Sequence, residues 1–484
     1  MRLSDLIDDR TLDVGCDLEI SGLTADSREV RPGYLFAALS GARQEGADFV
    51  GDAVRRGAVA VLTDRAHAIP SGDLAVIVDT NPRRRLAFLA ARFYGAQPSV
   101  IAAVTGTNGK TSVASFTRQI WGRLGHAAAS LGTLGVVAPG FDLPLGHTTP
   151  DPVMLHRLLA ELHRRGIEHL ALEASSHGLD QYRLDAVKVT VAGFTNLSRD
   201  HYDYHTSSEA YLGAKLRLFD AILEPRGGAV VNADADVFPA VAAVCRGRGH
   251  RLISYGRDGS ELRIIDIAST ARGQRIDAEA FGKRVAIDLP LAGAFQAGNA
   301  LCALGLVVAA GGDMEAALAA LEHLEGVPGR LQLVARHPNG APIFVDYAHT
   351  PDALATVLGA LRPHAESRLC VVFGCGGDRD RGKRPEMGRI AAHMADRVIV
   401  TDDNPRSEDP AAIRQAIMEA CPDAENIGDR AAAIYSGVTG LGDGDLLVIA
   451  GKGHERGQIV GSETRPFDDA EVARAAVASI GGAH

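Results

Sequence analysis

Gly106-Thr107-Asn108-Gly109-Lys110-Thr111 stands directly after an apolar run over 100–104 and directly before a helical pattern over 112–124. This is the layout of a phosphate cradle. Glycines let the backbone close around phosphate oxygens, and amides at the helix N-terminus attract the anion. Lys110 reaches the outer phosphates, and the Thr111 hydroxyl suits Mg²⁺. Gly106, Thr107, Asn108, Gly109, Lys110, Thr111 and Ser112 are therefore the candidate nucleotide-binding residues, for ATP or GTP. The usual loop has a glycine five positions before Gly109; here Val104 stands there, which disfavours an ordinary kinase or GTPase. A plain glycine turn between strand and helix is the alternative reading.

Outward from the cradle, apolar strand candidates at 101–104, 169–172, 189–194 and 229–231 alternate with helical stretches such as 152–165. That alternation predicts a parallel sheet flanked by helices, with ligands at the carboxyl ends of its strands. A second series, with strands at 343–345, 369–373, 397–400 and 446–449, predicts a Rossmann-like domain. Its helix from Pro410 carries Asp409 as N-cap. Short apolar runs at 34–39, 58–62 and 74–78 predict a small α/β domain before Tyr94-Gly95-Ala96-Gln97-Pro98. The expected class is α/β with three domains, 1–97, 98–329 and 330–484, and hinges near residues 97 and 329.

The bulk numbers agree with that count. A chain of 484 residues exceeds what one core supports. With 46% hydrophobic and 23% charged residues it is expected to be globular. A net charge of −10 disfavours nucleic-acid binding, so phosphate contacts should be local. The six cysteines, at 16, 245, 302, 370, 375 and 421, fit no zinc spacing and read as reduced thiols of a cytoplasmic protein. Neither a signal peptide nor a membrane span is expected.

Polar clusters follow two strand ends: Glu173-Ala174-Ser175-Ser176-His177, and Asn196 to Asp200-His201. Glu173 and His201 are candidate Mg²⁺ ligands with Thr111, because hard cations take oxygen ligands and share substrate phosphates. A hydrogen-bonding structural role for His201 is the alternative.

GTNGKT, the Glu173 element, TNLSRDH ending at His201, DYAHTPD at 346–352 and GKGHE at 451–455 occur in the order and spacing of the Mur ligases, which this chain resembles from Asp26-Ser27-Arg28 to Glu455. These are ATP-dependent amide-forming enzymes of bacterial peptidoglycan synthesis. The resemblance implies a central P-loop ATPase domain between an N-terminal UDP-binding α/β domain and a C-terminal amino-acid-binding one. It also implies an acyl phosphate on a D-glutamyl carboxylate that an incoming amine attacks. Lys110, Glu173, His201 and Lys215 are the implied catalytic residues. Lys215 occupies the place of a carbamylated lysine that helps Thr111, Glu173 and His201 hold Mg²⁺ at two sites; a surface lysine on an amphipathic helix is the alternative. Asn299, Arg330, Asp346 and His349 are added for ATP. This chain has Gln296 where an asparagine is frequent in relatives, and Gln332 where an acid is.

DDNPR at 402–406 resembles the signature of ligases adding meso-2,6-diaminopimelate to UDP-N-acetylmuramoyl-L-alanyl-D-glutamate. The implied diaminopimelate residues are Arg379, Asp403, Asn404, Pro405, Arg406, Gly451 and Glu455. The arginines suit the distal carboxylate that lysine lacks, because guanidinium forks pair with carboxylates bidentately. For the UDP-muramoyl dipeptide the matching positions are Ala25, Ser27, Thr148, Thr149, Ser175, Gln181 and Arg183, with His147 where an asparagine is common and a weak match at 42–44. A lysine-adding or folylpolyglutamate-synthase-like ligase, and a nucleotide-gated regulatory protein without ligase activity, are the competing readings. A monomer is expected.

Overall fold

The computed structural model describes residues 1–7, 18–41, 45–64, 74–198, 204–270 and 273–481. The strand Val100–Thr105 lies centrally in a parallel array, with Val189–Phe194 on one side and His169–Glu173 on the other. Leu223–Asn232 and Arg251–Gly256 extend the array beyond the first, and Ala128–Gly132 beyond the second. A strand paired on both edges and covered on both faces needs apolar residues throughout. VIAAVT meets that demand, and all but its first residue are buried.

The chain leaves this strand through Gly106 and Gly109, at φ 145° and 87°, and enters the helix Lys110–Arg123. Val113, Phe116, Ile120 and Trp121 recur at helical spacing and are buried. The helix Pro152–Arg164 follows the same logic. Asp151 accepts from the amides of Val153 and Met154, Pro152 opens the first turn, and Leu155, Leu158, Leu159 and Leu162 form the buried stripe.

Four parallel strands, Gly22–Thr24, Tyr34–Ala37, Ala58–Thr63 and Ala75–Val78, form the N-terminal sheet. This part is clamped to the central one. Val153 packs into the N-terminal core. Buried Asp185 accepts from Arg84 on one oxygen (3.0 Å) and Arg217 on the other (2.9 Å). Gln97, at the expected hinge, receives the Lys188 amide at 3.0 Å.

By contacts the chain divides into two compact units, Met1–Leu262 with Leu301–Ala317, and Arg263–Ala300 with Leu318–His484. The first unit is discontinuous because its sheet borrows the later segment. Cys302 and Leu306 side chains pack at Gly193, and Gly305 admits the Val230 side chain so closely that a Cβ would lie 2.7 Å from it. The second unit contains the antiparallel hairpin Gly273–Ala280 and Lys283–Leu289, which the sequence reading did not anticipate. It also contains the sheet ordered Gln332–Arg336, Pro342–Asp346, Leu446–Ala450, Leu369–Phe373, Arg397–Val400, Glu425–Asn426. All its pairs except the first are parallel. Asp409 caps the helix Pro410–Met418 by accepting from the Ala411 amide. Cys245, Cys302, Cys370, Cys375 and Cys421 are free and buried; Cys16 lies outside the described residues. Among the described residues no helix is long and apolar enough to cross a membrane.

Candidate active site

In the first unit, polar residues converge at the carboxyl ends of the central strands. Gly106 passes Thr195 so closely that a Cβ on it would lie 1.9 Å from the hydroxyl, so only glycine fits. Two lysines meet on its carbonyl: Lys110 Nζ and Lys215 Nζ each donate to it at 2.8 Å. Lys110 also donates to the Thr107 carbonyl at 2.8 Å. Lys215 is 1% exposed and lies over the Tyr211 ring at 4.3 Å. A surface lysine would not be so placed, because an ammonium is buried only when paired. Tyr211 in turn hydrogen-bonds Thr107 through the two hydroxyls (3.2 Å). The Asn108 amide donates to Asn196 Oδ1 at 2.9 Å, and Ser112 is buried behind the loop.

Glu173 organises the second part. Its Oε2 accepts from the Thr111 hydroxyl (3.0 Å) and the Thr133 hydroxyl (3.1 Å), and its Oε1 from the Thr133 amide (2.8 Å). A Cβ on Gly132 would lie 2.1 Å from that carboxylate, so Gly132 makes its space. Thr133 escaped the sequence reading; its only signal is a small polar residue at the end of the strand Ala128–Gly132. Thr111, Thr133 and Glu173 present a carboxylate and two hydroxyls, hard oxygen donors of the kind Mg²⁺ takes. His201 lies outside the described residues, as do 42–44.

The adjoining surface carries the residues expected to face a peptide. Thr133 and Thr148 hydroxyls share a hydrogen bond at 3.0 Å. Thr149 donates to the Glu173 carbonyl (2.8 Å) and accepts the Ser175 amide (3.0 Å). Arg183 donates to the Thr149 carbonyl (2.6 Å) and to Gln181 Oε1 (2.7 Å). Burial lowers the Arg183 pKa from its ordinary value, and the positive charge persists at any ordinary pH. In the N-terminal sheet, exposed Ala25 precedes Asp26, which caps the turn Ser27–Glu29; Ser27 is buried.

In the second unit, Asp346 accepts the Leu331 amide (2.6 Å) and the Ala348 amide (2.7 Å). It thereby holds Leu331 at φ 47° beside Arg330, and burial raises its carboxyl above the usual range. Arg330 lies over the Tyr347 ring at 4.6 Å, and its buried Nε has no hydrogen-bond partner. His349 accompanies the same ring at 4.7 Å and His454 at 5.3 Å. Burial and the Arg330 charge push His454 down to about 4, so it is neutral near pH 7. The departures at 296 and 332 have a physical account. Gln296 Oε1 accepts the Asn299 amide group (2.9 Å), and Gln332 Oε1 accepts the Gly329 amide (3.0 Å), so each glutamine supplies an acceptor.

The loop 402–406 lies against the loop 374–379. The Gly377 amide donates to the Asn404 carbonyl (2.9 Å), and a Cβ on Gly377 would lie 1.9 Å from the Pro405 carbonyl oxygen. Arg406, at φ 52°, donates from Nη1 to the Gly377 carbonyl at 2.8 Å. Asn404 donates to Glu455 Oε2 at 2.9 Å. Asp403 is buried, with Oδ2 unpartnered and close enough to Gly451 that a Cβ there would lie 2.6 Å from it. Asp403, Asn404, Pro405, Arg406, Gly451 and Glu455 thus form one cluster. Arg379 is exposed at its rim, donating to the Asp378 carbonyl.

Residues 19–94 match the Mur ligase family, catalytic domain; 104–307 the Mur ligase middle domain; and 329–453 the Mur ligase, glutamate ligase domain. The chain belongs to the Mur ligase family. Among members of the family it is 55% identical to the UDP-N-acetylmuramoyl-L-alanyl-D-glutamate--2,6-diaminopimelate ligase of Bradyrhizobium diazoefficiens, over 99% of each chain. It is 52% identical to the ligase of the same name from Mesorhizobium japonicum, over 95% of each. A solved structure of a Mur ligase of that name superposes with a TM-score of 0.72 at 34% identity, covering 96% of this chain and 95% of the other. The family's three-domain architecture with a central ATPase domain corresponds to the sheets described above.

Proposed function

We infer that this protein is an ATP-dependent ligase that joins 2,6-diaminopimelate to UDP-N-acetylmuramoyl-L-alanyl-D-glutamate in peptidoglycan precursor synthesis, with ADP and phosphate as the other products. Identity of 55% over 99% of both chains to a ligase of that name carries the inference. The geometry supplies its chemistry. Phosphoryl transfer rests on positioning and on neutralising charge between anions. Lys110 and the N-terminus of the helix Lys110–Arg123 gather positive charge at the phosphate loop. Thr111 and Glu173, with His201 and a carbamate on Lys215, would hold Mg²⁺, which supplies Lewis-acid polarisation of the phosphoryl oxygens when bound. Asn299, Arg330, Asp346 and His349 are the proposed further ATP contacts. Ala25, Ser27, Thr148, Thr149, Ser175, Gln181 and Arg183 are the proposed contacts of the UDP-muramoyl dipeptide.

The acceptor is the meso isomer in this reading. Arg406 and Arg379 take its distal carboxylate, while Glu455 and Asp403 take the distal ammonium and Asn404 holds Glu455 in place. The domains are 1–97, 98–329 and 330–484, and the enzyme works as a cytoplasmic monomer. Phosphate release and product mass, measured with the UDP-dipeptide, ATP and Mg²⁺, test the reading. A tripeptide product with meso-diaminopimelate and none with L-lysine is expected. Equal turnover with lysine would assign the lysine-adding reaction, and ATP turnover indifferent to any amino acid would assign the regulatory role.

A further inference from the structure

Lys452 is fully buried between two left-handed glycines, Gly451 at φ 115° and Gly453 at φ 57°. Its Nζ donates to Asn404 Oδ1 at 2.9 Å and to Glu455 Oε2 at 3.2 Å. The Ile459 amide donates to the same Asn404 oxygen at 2.9 Å. An asparagine amide has two near-equivalent orientations, and only its hydrogen-bond partners choose between them. Two donors on Oδ1 fix it inward and leave Nδ2 to donate to Glu455. Glu455 Oε2 is thereby consumed within the network, while its side chain stays 33% exposed. Asp403 Oδ2 is the acceptor that the network leaves for a ligand, and Glu455, which also meets the Tyr347 side chain, lines the same pocket.

We propose that Lys452 is the specificity-determining positioning residue of this pocket, setting its charge so that a zwitterionic head group is favoured over a lone ammonium. The buried and half-buried charges in and behind the cluster are Arg406, Arg430 and Lys452 against Asp403, Glu455 and Asp469, with Asp402 neutralised by Arg414 and Arg379 left exposed at the rim; Arg430 donates to the Asp402 and Ala450 carbonyls that flank the cluster and is paired with Asp469. The set is balanced. A head group carrying one carboxylate and one ammonium keeps it balanced, whereas a side chain ending in an ammonium alone leaves an unpaired cation in a largely buried place, which is costly. Without the Lys452 charge the cluster is one positive charge short of balance, and the lone ammonium becomes the better counterion. This rests on the diaminopimelate reading above.

The experiment compares the full-length wild type with Lys452→Met, measuring kcat and KM for meso-diaminopimelate, L-lysine, ATP and the UDP-dipeptide. Expected is a fall of about tenfold or more in the ratio of kcat/KM for diaminopimelate to that for lysine, carried by the amino-acid KM values. The KM values for ATP and the UDP-dipeptide should stay within about twofold of the wild type. Gln458→Leu removes a hydrogen bond to the Asp403 carbonyl (2.7 Å) from the same pocket without changing its charge. It should raise KM for both amino acids and leave their ratio unchanged. An unchanged ratio in Lys452→Met, or the same ratio change in Gln458→Leu, overturns the proposal. Should Lys452→Met fail to fold, Lys452→Gln keeps a donor at the position and is read the same way. A wild type inactive with diaminopimelate overturns the functional reading instead.

Discussion

Glu173 carries more hydrogen bonds from the site than any single motif letter suggests. Its carboxylate joins the phosphate loop through Thr111 to the strand end at Thr133. In Glu173→Gln the amide can keep one acceptor but loses the negative charge that a cation needs. Turnover is expected to fall by about 10²–10³-fold, with the KM for amino acid unchanged. Steady-state kinetics across a Mg²⁺ titration check this, and a merely structural role would move melting temperature and every KM together. Lys215→Met is expected to remove ligation while nucleotide binding persists, which calorimetry with an ATP analogue would show. Burial of Lys215 could not be read from the sequence, because its helix Ser208–Arg217 mixes exposed and buried faces and its partner carbonyl, at Gly106, is remote in the chain.

Two helices begin at a fully buried ion pair. Arg430 opens Arg430–Thr439 and Asp469 opens Asp469–Gly481; both side chains are 0% exposed and meet through two bonds of 2.7 Å. Asp469→Asn strands a buried guanidinium and should cost about 3–5 kcal/mol in chemical denaturation. The helix Pro152–Arg164 holds a different device. Burial pushes His156 down to about 4 from 6.5, with its Nε2 3.4 Å from the Asp185 carbonyl. Between those pH values the unfolded chain binds more protons than the folded one. The stabilisation is therefore complete above pH 6.5 and lost as pH falls towards 4. Urea unfolding should show wild type losing roughly 2 kcal/mol more than His156→Gln between pH 7.5 and pH 5. Elements with a strong local signal were legible in the sequence. Val189–Phe194, Leu369–Phe373 and Arg397–Val400 fall where their apolar runs stand, and Asp409 caps as its residue type predicts. The hairpin at 273–289 was not, because its half-buried strands set charged Arg275, Asp277, Arg284 and Asp288 against only a few buried apolar residues such as Ile276 and Ile287, and cross-strand pairing decides it. For the site, motif residues at strand ends were legible. Thr133 and Lys452 were not, since only tertiary contact brings them to Glu173 and Asn404.

On the scale of the molecule, the Asp185 clamp makes the N-terminal and central parts one contact unit, although composition suggests a joint at residue 97. Differential scanning calorimetry should therefore resolve two transitions, not three. Asp185→Ala should lower the transition of the first unit and leave the other in place; equal movement of both would show that the units melt together. The discontinuity of that first unit bears also on how the chain is born. Domains complete themselves in order as synthesis proceeds. Here the unit holding the phosphate cradle waits for the segment Leu301–Ala317, which covers Gly193 and Val230. Until Ala317 has left the ribosomal exit tunnel, one face of its sheet stays bare in the nascent polypeptide. A translational pause just before that point would prolong the dependence on chaperones, whereas one just after it would let the sheet close.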